Sequence, residues 1–162
     1  ERGGGGGEGG RGGDGAPTVA RGVDAAATGT VAGTRVADGH HEFPSHDPRV
    51  GTRRHRYAYT ADGLELGPTH RVDVESGEVV RHDHGEGRFG AEPLLVPKDG
   101  STDEGDGWIL VCVNDRAGTP AELVILDGMG MAGPPVARIH LPRRVPDGFH
   151  GSWVPDTVVA PG

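Results

Sequence analysis

Nine histidines in 162 residues give this chain a high share of the one side chain that both titrates near neutral pH and ligates transition metals. Their settings differ. His40, His41, His46, His55 and His70 lie among polar or turn residues, where solvent-facing rings are expected. His82 and His84 flank Asp83, so an extended backbone projects both rings to one face, as a two-histidine zinc hydrolase would need. Gly85 directly after them favours a plain strand end. His150 stands in Leu141-Pro-Arg-Arg-Val-Pro-Asp-Gly-Phe-His-Gly-Ser-Trp-Val-Pro155. There Gly148 and Gly151 let backbone and ligands approach closely, and Phe149 and Trp153 are expected to screen the ring from water. A screened, neutral imidazole suits iron(II). On these residues alone a structural role and a ligand role both stay open, the structural one being commoner.

Two matches to G-x-G-x-x-G, Gly85-Glu-Gly87-Arg-Phe-Gly90 and Gly128-Met-Gly130-Met-Ala-Gly133, invite a dinucleotide reading. Phosphate binding of that kind needs a strand before the glycines and a helix after them. Here each match runs on through proline into another apolar, strand-like segment, so the phosphate reading is set aside.

The elements that would position these residues are short. β-branched segments recur between turn signals: Thr18–Val23, Thr30–Val36, Arg56–Thr60, Thr69–Val74, Glu78–His82, Glu92–Val96, Trp108–Asn114, Ala121–Leu126 and Val136–Leu141. None has helix length with a 3.6 period. Ala27-Thr-Gly29, Ala61-Asp-Gly63, Glu75-Ser-Gly77, Lys98-Asp-Gly100 and Arg116-Ala-Gly118 place glycine where tight turns need it. The pattern predicts an all-β antiparallel meander of the sandwich, barrel or propeller kind. At about 40–45 residues per blade it amounts to roughly three propeller blades, too few to close a ring. Trp108–Val113, almost continuously apolar, reads as buried on both faces, and Thr69–Val74 with Glu78–His82 as a half-exposed hairpin. The core is therefore expected toward the C-terminal half.

Composition narrows the class further. Ten of the 31 glycines fall in Glu1–Ala16, a stretch with nothing to bury and expected to be disordered; residues 17–162 carry the fold. The formal net charge of -8 argues against a nucleic-acid footprint, and the basic run Arg49–Arg56 reads as a solvated loop. Cys112 is a single thiol in an apolar run, read as a buried hydrophobe in a reducing compartment. No stretch nears the roughly 18 apolar residues of a membrane span, and no signal-peptide core is seen. A cytoplasmic chain is expected, and one that begins with Glu is expected to be a fragment.

An ordered string of motifs then carries a resemblance: Glu42-Phe-Pro, Asp47-Pro-Arg49, Arg54-His-Arg-Tyr-Ala-Tyr59, Gly87-Arg-Phe89, Ala91-Glu-Pro93, Gly107-Trp-Ile-Leu110, Glu122-Leu-Val-Ile-Leu-Asp127, Val136-Ala-Arg138 and Phe149-His-Gly151. Together they resemble the carotenoid cleavage oxygenases, with weaker similarity back to about Pro17. The resemblance implies a partial β-propeller, the C-terminal blades of a seven-bladed ring with Fe(2+) on its axis held by four histidines. It implies that His150 is the last of those ligands, and that Glu42 and Glu92 are carboxylates set behind ligand histidines. Such a carboxylate accepts the imidazole's other proton, fixing its orientation and raising its basicity.

The expected substrates are an apolar polyene or stilbene-like molecule and O2, split at a carbon–carbon double bond into two carbonyl products. The segments bearing the other three ligands, and the N-terminal blades, have no match in this sequence. The chain by itself is thus expected to be inactive. The alternative is a non-catalytic β module or gene remnant without metal.

Overall fold

The structure, a computed structural model, describes residues 18–24, 30–63 and 67–156. The expected tail Glu1–Ala16 and the turn Ala27-Thr-Gly29 lie outside the described residues. Strands β1 (Thr18–Asp24) and β2 (Thr30–Ala37) form a hairpin. Strands β3 (His41–His46), β4 (Tyr57–Asp62), β5 (Thr69–Asp73) and β6 (Val79–His82) pair in chain order as a four-stranded antiparallel sheet. One 3-10 turn, Pro48–Val50, separates β3 from β4.

The second sheet is built around β9 (Gly107–Asp115). On one side it pairs with β10 (Glu122–Asp127), which carries β11 (Ala137–His140). On the other, β7 (Arg88–Gly90) and β8 (Leu94–Pro97) take its two ends in turn. The expected all-β antiparallel meander is observed, with strand ends shifted by a residue or two. Positive-φ glycines close the turns at Gly77 (φ 78) and Gly100 (φ 75) as the sequence requires. No helix follows either G-x-G-x-x-G match; β8 or β11 comes next.

Alternation along β9 decides where the core lies. Ile109, Val111 and Val113 are at most 1% exposed and cluster with Val124, Leu126, Leu95, Met131 and Tyr59 of the first sheet. Each such aliphatic side chain contributes about 1.5–3 kcal/mol relative to exposure. The opposite face, with Leu110 and Cys112, is half-buried, so β9 is not sealed on both faces as its apolar run implied.

Strand β5 departs the other way: all five of its residues are buried despite the polar sequence THRVD. Partners make this affordable. Arg71 Nη1 donates to the Met129 carbonyl at 2.5 Å, and Asp73 takes Arg56 at 2.7 Å. Paired charges and satisfied donors can be buried where lone ones cannot.

Arg49 also corrects the solvated-loop expectation. Its guanidinium grips the buried Asp47 carboxylate and donates to the carbonyls of Ser101 and Asp103, at 2.6 and 2.7 Å. It thereby ties the end of β3 to the loop before β9, whereas Arg53 and Arg54 are exposed as expected. Strands β3 and β8 meet where the two sheets come together, and there Ser45 Oγ donates to the Pro93 carbonyl.

Candidate functional site

Glu92 sits in the link from β7 to β8. The Ala91 N–H on the Cys112 carbonyl (2.9 Å) and the fully buried Pro93 hold its backbone. The segment after β11 has no strand as far as residue 155, because Pro142, Pro146 and Pro155 interrupt any ladder. It is pinned instead by single bonds: Ala121 N–H to Arg143 O at 3.1 Å, and the Asn114 amide to Val145 O at 3.1 Å. These lay it across the half-buried face of β9. An apolar cavity of about 220 Å³ lies beneath, lined by Leu94, Leu110, Cys112 and Leu123 with Glu92 and His150 at its border. Burial pushes the Cys112 thiol up, which keeps it protonated and unreactive.

One carboxylate then holds two adjacent groups of that segment. Glu92 Oε1 accepts from His150 Nδ1 at 3.2 Å, and Glu92 Oε2 accepts from the Gly151 N–H at 2.7 Å. A carboxylate only accepts, so the His150 proton belongs on Nδ1 and Nε2 keeps its lone pair. Nε2 has no hydrogen-bond partner among the described residues. An oriented imidazole with one nitrogen on a carboxylate and the other free is the donor chemistry a metal ligand needs. The residues fit one ligand of a metal centre. No group of three or more His, Cys, Asp or Glu that could hold an ion occurs among the described residues.

One expectation about this place is corrected. Phe149 and Trp153 do not screen His150: they are 77% and 53% exposed, and the imidazole itself is 76% exposed. Their rings lie on a strandless segment over a single sheet face, with no second layer to cover them. Glu42 lies apart from the pair, exposed on β3, and its carboxylate makes no hydrogen bond or ion pair among the described residues. Its neighbour Phe43 does reach the pair, its ring edge-on to His150 with centroids 5.9 Å apart.

The other histidines also differ from expectation. His70, His82 and His84 are buried rather than solvent-facing; Met131 lies against the ring of His82 and Gly90 of the second sheet against that of His84. His82 Nδ1 donates to the Met131 carbonyl at 2.9 Å, and His84 Nε2 bonds Thr69 Oγ1 at 2.9 Å. Desolvation, then the neighbouring His82, Arg88 and Arg138, pulls His84 down to about 4. A buried pair among arginines, with no third donor among the described residues, lacks what zinc would require.

Two antiparallel sheets meet along β3 and β8, where the carboxylate and imidazole converge, as successive blades of a β-propeller would. The sequence profile described as retinal pigment epithelial membrane protein matches residues 16–155. A chloroplastic 9-cis-epoxycarotenoid dioxygenase of Oryza sativa subsp. japonica is 36% identical over 78% of this chain and 22% of its own length. Apocarotenoid-15,15'-oxygenase of Synechocystis sp. is 33% identical over 69% and 24%, and resveratrol cleavage oxygenase 1 of Aspergillus fumigatus 36% over 71% and 23%. The cobalt-substituted Synechocystis apocarotenoid oxygenase superposes with a TM-score of 0.72 at 31% identity, over 78% of this chain and 28% of that one. This chain belongs to the carotenoid cleavage oxygenase family, and its sheets are part of a β-propeller. It spans about a quarter of the length of these relatives.

Sequence reasoning missed Phe43, Ser45 and the Gly151 N–H as members of the site. A usable signal was Phe43-Pro44 inside an otherwise extended stretch, since proline within a strand marks an edge or a bulge.

Proposed function

We propose that this chain supplies one histidine ligand, His150, and two supporting carboxylates, Glu92 and Glu42, to the iron(II) centre of a dioxygenase. The reaction inserts both atoms of O2 across a carbon–carbon double bond of a carotenoid, apocarotenoid or stilbene-like substrate, leaving two carbonyl fragments. The observation that carries the reading is the Glu92–His150 pair, 3.2 Å apart, with Nε2 unpartnered among the described residues. The relatives' named substrates, an epoxycarotenoid, an apocarotenoid and resveratrol, support the substrate class.

Glu92 sets the tautomer and plane of the His150 ring and raises its basicity. Glu42, on β3 at the same sheet junction and with its carboxylate unpartnered among the described residues, is free to do the same for a histidine outside this sequence. Bound iron(II) would supply the redox chemistry by which dioxygen reacts with a closed-shell alkene. Three further histidine ligands belong, in this reading, to N-terminal blades of a ring about four times this length. A glycine-rich tail over residues 1–16 and a cytoplasmic setting complete it. No helix among the described residues is long and apolar enough to cross a membrane.

A second reading, a β module that holds no metal by itself, is favoured by the lack of three clustered donors among the described residues. Metal analysis and olefin cleavage separate the two. In the ring-completed protein, wild type should retain about one iron per chain and cleave an apocarotenoid or stilbene probe, and His150→Ala should lose both. Retention of iron and cleavage by His150→Ala would remove the ligand assignment. In the 162-residue chain alone, metal-free, inactive material supports the module reading for the isolated piece.

A further inference from the structure

We infer that Phe43 is a positioning residue for His150, held in place by a β-bulge that also engages the Glu92 segment. The inference rests on the ligand reading of His150 above. Its starting point is the register of β3 on β4. Glu42 pairs with Ala61 and Ser45 with Tyr59, so Phe43 and Pro44 together face Thr60 alone. Two residues against one is a bulge, which bends an edge strand and re-aims a side chain. Pro44 belongs there, since it donates no ladder bond and β3 is the sheet edge.

Phe43 carries the cost of this geometry. Its φ of 49 is positive, a property shared among non-glycine described residues only with Thr52. An aromatic side chain gains nothing locally from that conformation, and the following proline restricts it further. Such outliers persist only where the surroundings over-determine them. Here Glu42 is fixed by its pairing on one side, and on the other Ser45 is anchored to the Pro93 carbonyl, one residue beyond Glu92.

The ring that results touches the site rather than the core. It lies edge-on to His150, at 5.9 Å and 83° between planes, and 6.4 Å from Phe149. Apart from the bond to Glu92, His150 makes no other hydrogen bond among the described residues. One bond fixes Nδ1 but lets the ring swing about the Nδ1···Oε1 line. A second contact on the ring removes that freedom, and with it the spread in direction of the Nε2 lone pair. Phe43 therefore sets the angle at which the imidazole offers its donor, while Glu92 sets which nitrogen offers it.

The test reads the imidazole directly, without metal. Nitrogen-15 NMR of His150 in the 162-residue chain should show a single Nδ1–H tautomer in wild type and in Phe43→Tyr. Carbon-13 relaxation of the ring should show wider angular motion in Phe43→Ala than in either, with the tautomer and the β-sheet circular dichroism unchanged. If Phe43→Ala fails to fold, Phe43→Leu replaces it, keeping apolar bulk without the ring edge. In the ring-completed protein the same variant should retain iron(II) about 10-fold less well, at the lower end of what loss of an orienting partner costs, and Phe43→Tyr should restore retention. Unchanged ring motion in both the alanine and leucine variants would overturn the positioning role whatever the iron does. Undiminished iron in His150→Ala would overturn the ligand reading, and the inference with it.

Discussion

Glu92 and His150 stand 58 residues apart in the chain and 3.2 Å apart in space, and the same carboxylate takes the N–H of the next residue, Gly151. Ring and backbone are thus held from one point. The carboxylate, 13% exposed, is sheltered enough for its two bonds to resist competition from water.

Replacing Glu92 by Gln should lower iron retention in the ring-completed protein by about 10–100-fold. The amide has one acceptor oxygen where the carboxylate has two, so it cannot serve the His150 ring and the Gly151 N–H equally. Iron content after dialysis against a chelator measures the effect. Retention equal to wild type would take Glu92 out of the site.

Stability should fall as pH drops from about 6.5 to about 4. His84 is buried and its folded-state value is pulled down to about 4, below the ordinary value of 6.5. In that window the unfolded chain binds a proton that the folded chain refuses, so acid favours unfolding, and the contribution is fully present only above the upper limit. The span corresponds to on the order of 3 kcal/mol. Urea melts at pH 7 and pH 4.5 check it, and His84→Gln should flatten the difference.

Gly128→Ala should destabilise the chain by about 3 kcal/mol, the upper range for an overfilled core. A β-carbon there would lie 2.4 Å from the Gly105 carbonyl oxygen and 3.1 Å from that of Gly107. Both obstacles are backbone, which cannot swing aside as a side chain would. Gly100→Ala meets no atom within 4 Å and is the control for substitution at a turn; it should cost less, through its positive φ alone. Equal losses in thermal melts would refute the steric account.

Asp47→Ala should cost about 3–5 kcal/mol, the usual effect of breaking a buried ion pair. Burial pushes the Asp47 carboxyl up, but bonds from Arg49 and from the Arg49 and Gly105 N–H groups outweigh it and leave it below the ordinary range. Arg49 would then be left without the counter-charge that holds it against the Ser101–Asp106 loop. Denaturant unfolding reads the loss, and a cost under about 1 kcal/mol would mean that the clamp is ornamental.

Strands that announce themselves by alternation and β-branching, such as β9 and β10, were legible in the sequence because local pattern and tertiary environment agree there. β3 was not: Pro44 and the two-for-one pairing at Phe43 erase its period. β7 was hidden inside Gly85–Gly90, whose glycines read as turn. The burial of β5 was illegible for another reason. Its polar residues are made tolerable by partners such as the Met129 carbonyl, over 50 residues away, which no window along the chain contains. Of the site, the motif string named Glu92 and His150, which the fold brings together. The site's exposure was not readable, because Phe149 and Trp153 look the same in a sequence whether or not anything lies over them.

The segment that bears His150 rests on a surface finished earlier in the chain, with Asn114 and Ala121 as its moorings. On a ribosome adding about 5–20 residues per second, the strands from β3 to β10 emerge seconds before the imidazole does. The carboxylate is waiting when the nitrogen arrives. In the reading proposed above, the ion can meet this donor only once residue 150 has emerged, and a nascent chain stalled short of it would be folded in outline yet lack that ligand.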